Sequence, residues 1–128
     1  MKASFVTLIM TCLLSTAAFA HGMSKLGPHN GYVRMPGSYH VELVPESAGY
    51  RVYFLDMQFK NISVKDATTT MVIKSDQSGT IGCKKEDGYF LCPVEKQILK
   101  TAKEIVLETS VNGKTKAASR YSLPLSLM

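Results

Sequence analysis

Apolar and polar residues alternate in short runs along most of the chain. Tyr39, Val41 and Leu43 point one way from an extended segment and His40 and Glu42 the other, the period-two pattern of a strand. Tyr32-Val33-Arg34 opens an earlier strand, closed by Pro36-Gly37, and residues 45–49 read as a turn. The next run is apolar on both faces, with Tyr50, Val52 and Phe54 against Tyr53 and Leu55, which predicts a central strand. A polar loop follows over residues 58–66. Residues 68–74 are β-branched, with Met71 and Ile73 on one face. Met57 and Met71 are expected to fill the core. A turn over residues 76–79 leads into a hairpin. Residues 93–103 fit neither period; within them, residues 94–99 leave a single helical turn open. No long helical pattern occurs.

Two hairpins carry register information. Asp87-Gly88 is a strong two-residue turn signal. Counting outward sets Glu86 opposite Tyr89, Lys85 opposite Phe90, Lys84 opposite Leu91 and Cys83 opposite Cys92. The last pair falls on a non-hydrogen-bonded site, where side chains approach most closely, so a Cys83–Cys92 disulfide is expected. Asn112-Gly113 marks the second hairpin. A two-residue turn there places apolar residues opposite charged ones. A three-residue loop, Val111-Asn112-Gly113, instead sets Leu107 opposite Ala117 and Glu104 opposite Arg120, and is preferred.

Seven or eight short, mostly antiparallel strands predict an all-β fold, a small immunoglobulin-like β-sandwich. The label covers general architecture only. The chain has no Trp, and the cysteine pair joins neighbouring strands rather than opposite sheets.

The first residues add a compartment. Lys2 precedes an apolar run from Phe5 to Leu14, and Ala18-Phe19-Ala20 ends in small residues suited to cleavage. Residues 1–20 are thus expected to be a secretory signal, residues 21–31 an extended arm ending in a turn at Gly27-Pro28-His29-Asn30-Gly31, and residues 32–128 the sandwich. Cleavage after Ala20 leaves 108 of 128 residues and makes His21 the new N-terminus. Periplasmic or secreted location follows, and two cysteines remaining in such a chain suit a disulfide. No second apolar stretch is long enough to span a membrane. The formal charge of +5 falls to +4 without Lys2, and the basic residues are scattered apart from Lys84-Lys85, so no nucleic-acid partner is expected.

Candidate chemistry gathers near the new terminus. All three histidines, His21, His29 and His40, fall within a 20-residue window that also holds Met23 and Met35. Imidazole, amine and thioether are copper donors, thioether favouring Cu(I), and Glu42 or water could complete a Cu(II) site. Each residue also has a plainer reading. His21 and Met23 could be an unstructured end, His29 a turn residue, His40 a surface residue beside Glu42, and Met35 a core filler. No nucleophile elbow, His-Glu-x-x-His or phosphate loop occurs, so a binding role is expected rather than catalysis. The Asn61-Ile62-Ser63 sequon is set aside because the signal is of bacterial type.

Gly27-Pro28-His29-Asn30-Gly31, Tyr39-His40-Val41-Glu42-Leu43 and Tyr50-Arg51-Val52-Tyr53 resemble a small β-domain at the start of periplasmic adaptor subunits of heavy-metal efflux pumps, and its stand-alone secreted relatives. The resemblance implies an extracytoplasmic sandwich connected with metal handling, and a partner that is a metal ion or another periplasmic protein such as an efflux component. Only His29 transfers by motif. Asn30 stands where the family usually has Gly, and the His-rich run is reduced to His21 and His29. The adaptor's hairpin and barrel regions are missing from the pattern. The expected function is an exported metal-binding protein, with copper as Cu(I) or Cu(II), or a metal-efflux accessory. Its rivals are a metal-free interaction module or enzyme inhibitor, and an enzyme with a copper brace at His21.

Overall fold

The computed structural model describes residues 25–127. The expected signal segment, His21 and Met23 lie outside the described residues. Nine strands and one short helix follow in chain order: β1 Tyr32–Arg34, β2 His40–Glu46, β3 Gly49–Leu55, β4 Ala67–Lys74, β5 Gly79–Gly82, β6 Lys84–Lys85, β7 Phe90–Pro93, α1 Lys96–Thr101, β8 Glu104–Val111 and β9 Ala117–Ser122. They form two antiparallel sheets, β1-β2-β3-β7-β6 and β5-β4-β8-β9. The fold is the expected all-β sandwich, with nine strands in place of seven or eight. The excess arises at Cys83, where the chain leaves one sheet as β5 and enters the other as β6.

The alternating residues supply the core. Val41, Leu43, Val52 and Phe54 of the first sheet face Met71, Ile73, Ile105, Leu107 and Tyr121 of the second. Each side chain of this kind, fully buried, stabilises the fold by about 1.5–3 kcal/mol relative to exposure. The central position expected for residues 50–55 is realised, since β3 lies between β2 and β7. In α1, Ile98 and Leu99 lean against the core, so the segment left open in the sequence becomes a short helix.

Both seams of the sandwich are closed. At one, Cys83 in the crossover is bonded to Cys92 in β7, with Cα atoms 4.3 Å apart. Lys84 pairs with Leu91, Lys85 with Phe90, and Glu86 N donates to Tyr89 O, so the expected register holds. At the other seam, Arg34 of β1 reaches β9. Its Nε donates to Arg120 O at 3.0 Å, Nη2 donates to Ser126 O at 3.2 Å, and the guanidinium lies 4.5 Å over the Tyr121 ring. Burial pushes the Arg34 pKa down, against the opposing influence of Tyr121.

Two turns differ from expectation. β2 runs on to Glu46 and turns through Ser47 and Ala48 alone, with Glu46 opposite Gly49. In the last hairpin Leu107 faces Ser119 and Thr109 faces Ala117, two residues from the expected register. Lys114 N donates to Val111 O across Asn112 and Gly113, both at positive φ, and the returning strand then spends an extra residue before pairing. The shift is even, so every side chain keeps its expected face. Glu104 still meets Arg120, as a diagonal neighbour at 3.0 Å. Among the described residues no helix is long and apolar enough to cross a membrane.

Candidate functional site: a carboxylate-backed histidine on the outer sheet face

The outer face of the first sheet is not a solvent face. Val33, His40, Glu42 and Leu55 point away from the core by alternation, yet all four are buried. Residues 27–31 cover one part of this face and residues 56–60 the other. The cover exists because Glu42, with 0% exposure, holds the arm down. Glu42 Oε2 accepts from His29 N at 2.9 Å and from Gly31 N at 2.8 Å, and Oε1 accepts from His29 Nδ1 at 2.7 Å. A buried carboxylate without such donors would cost several kcal/mol, so clasp and burial require each other.

The Gly-Pro-His-Asn-Gly segment is built for this contact. Gly27 N donates to Gly31 O and Asn30 N to Gly27 O, closing a tight turn. A Cβ on Gly27 would lie 2.6 Å from Glu42 Oε2, and one on Gly31 would lie 2.7 Å from Leu43 O. Neither position has room for a side chain. Asn30 sits at φ 58, a left-handed conformation that Asn accepts more readily than most residues after Gly. The turn expected at residues 27–31, where the arm ends, is thus present and lies against the sheet.

His29 is fixed on three sides. Its ring stacks on Tyr53 with centroids 3.7 Å apart and planes 6° from parallel. Tyr53 in turn contacts Tyr89, and the Arg51 guanidinium lies over Tyr89 while donating to Glu46 Oε1 at 2.9 Å. The hydrogen bond to Glu46 is the main influence pushing the Arg51 pKa up. Because a carboxylate only accepts, Nδ1 carries a proton, and in the neutral ring Nε2 is then the lone-pair donor. Nε2 has no partner among the described residues, and the side chain is 25% exposed. It borders a hollow of about 440 Å³ shared with Asn30, Glu46, Arg51 and Tyr53. Glu46 Oε2 is also without a hydrogen-bond partner.

His40 occupies a second environment. It is 8% exposed, where a surface residue had been one reading. Nδ1 bonds Asp56 O at 3.0 Å and the ring stacks on Phe59 at 4.4 Å. Met35, one possible core filler, is instead exposed, as is Met57, which had been assigned to the core; Met71 is in the core. His29 and His40 thus have different surroundings, His29 against Glu42 and Tyr53 and His40 against Asp56 and Phe59. Among the described residues no group of three or more His, Cys, Asp or Glu side chains could hold a metal. Glu42, considered as a ligand, has both oxygens committed to the arm and supports His29 from behind. That role was hidden in the sequence, because a carboxylate at an outward position reads as solvated unless its cover is known. No protein-family model, curated protein or solved structure matches the chain.

Proposed function

We propose that the protein is an exported metal-binding protein that handles copper, as a carrier or as an accessory to metal efflux, and that His29 Nε2 is its principal imidazole ligand. One observation carries this reading. A buried carboxylate fixes Nδ1 and leaves Nε2 without a partner among the described residues, on a histidine that lines an open hollow; a carboxylate behind Nδ1 is the arrangement that orients metal-binding histidines and raises their basicity. Glu46 lines the same hollow, and its carboxylate, whose Oε2 is buried without a hydrogen-bond partner, is the candidate second donor. The amine and imidazole of His21, eight residues upstream, complete a nitrogen-rich set suited to Cu(II) once the signal is removed. Met23 is two residues from His21 in the sequence and offers a thioether. The chain binds rather than catalyses.

A second reading has its own support. His29 and His40 both hold the outer face together, and a metal-free interaction module would need them for that alone. Competition titration of the exported protein with Cu(II) separates the two. The copper reading expects His29→Gln, and to a smaller degree Glu42→Gln, to weaken Cu(II) binding by about 10-fold or more. Unaltered binding in a folded His29→Gln variant would leave the interaction module as the better account.

A further inference from the structure

We propose a separate site for a soft monovalent ion, Cu(I), formed by the thioethers of Met35 and Met57 with His40 Nε2. It uses none of the His29 ligands. Its first support is placement. β1 pairs Val33 with Glu42 and Arg34 with Val41; Met35 is the residue that follows β1 and His40 the one that opens β2, so the two flank the last pair of that ladder at the same end. Continued for that one residue, the alternation of β1 carries Met35 to the face of Val33 and His40. Met57 comes from the other side. It follows Asp56, whose carbonyl accepts the His40 Nδ1 proton at 3.0 Å.

The second support is the loop that presents Met57. Asp56 Oδ1 accepts from Gln58 N and Lys60 N, Asp56 N donates to Lys60 O, and Phe59 N donates to Asp56 O. Phe59 is held at φ 63, an unusual conformation for a bulky side chain. That conformation accompanies the stacking of its ring on His40 at 4.4 Å. Residues kept in such conformations concentrate where a loop has a function. His40 is thereby fixed through Nδ1 and through its face, and Nε2 has no partner among the described residues.

The third support is exposure. Met35 is 41% and Met57 48% exposed, so two of the four large hydrophobic side chains exposed among the described residues are these thioethers. An imidazole and two thioethers are neutral and soft, which selects Cu(I) over Zn(II) or Cu(II). Asp56 Oδ1 is already engaged by the backbone N–H groups of Gln58 and Lys60.

Ag(I), a redox-inert stand-in for Cu(I), tests the site on the exported protein with methionine methyl groups labelled for NMR. The proposal expects Ag(I) to shift the Met35 and Met57 methyl signals and to leave Met71 unmoved. Anaerobic competition against a chromophoric Cu(I) chelator should then show the Met35→Leu/Met57→Leu double variant weakened by about 100-fold, on the scale of 10-fold or more per metal-supporting group. Cu(II) binding at His29 should be unchanged in that variant, which also reports that it is folded. Ag(I) shifts confined to Met23, or full Cu(I) affinity in the double variant, would overturn the proposal. Loss of Cu(II) binding by His29→Gln with Cu(I) binding retained would leave this site standing alone.

Discussion

Glu42 illustrates how a single residue can be legible in position and opaque in role. Its place on the strand followed from alternation, but its burial depends on an arm whose turn chemistry alone does not say where it lands. His29 carried the same ambiguity, between turn residue and ligand, and the structure gives it a structural contact through Nδ1 while leaving Nε2 open. Removing one partner of a buried, hydrogen-bonded carboxylate is costly, so Glu42→Ala should lower stability by about 3–5 kcal/mol in denaturant unfolding. Two tyrosines predict a pH effect. Burial pushes the phenol pKa of Tyr121, and of Tyr50, above the ordinary value of 10.0. For Tyr121, the guanidinium of Arg34 opposes that shift without cancelling it. The native state thus holds these protons more tightly than the unfolded chain. Their contribution is intact below pH 10.0 and declines as pH rises through the raised values. Thermal melts should show Tm falling above that pH, and Tyr121→Phe should reduce the fall.

At the level of elements, turn signals close in sequence were the most legible. Asp87-Gly88 set the register that brings Cys83 to Cys92, and the pairing is as expected. The crossover between sheets at Cys83 was not legible, since nothing in Gly82-Cys83-Lys84 distinguishes a strand that continues from one that changes partner. The disulfide closes a short loop that includes this crossover. Replacing both cysteines by Ala should cost about 2–3 kcal/mol, read as a lower urea midpoint with little change in slope. The Asn112-Gly113 hairpin was placed on the correct faces but in a shifted register, because β8 continues pairing with β4 through Val111 while β9 has not yet begun. Gly31 is the element-scale test of the clasp. Ala there meets Leu43 O at 2.7 Å and Val44 Cγ2 at 2.7 Å. Gly31→Ala should destabilise by about 1–3 kcal/mol and speed amide exchange at residues 29 and 31 before the core strands are affected.

Across the whole molecule, the sandwich is a scaffold that covers one of its own outer faces. Arg34 and the Cys83–Cys92 bridge close the seams, and the arm and the 56–60 loop place two histidines on the covered face with Nδ1 engaged and Nε2 available. The proposed copper function rests on that shared geometry, and it joins the export inferred from the first residues to the chemistry of the folded domain. The most direct test follows the histidine ring signals of the protein without residues 1–20 by NMR during Cu(II) addition. The account predicts that the His29 Nε2 resonance broadens beyond detection below one equivalent of Cu(II). A His29 ring signal that persists unchanged through a full equivalent would contradict it.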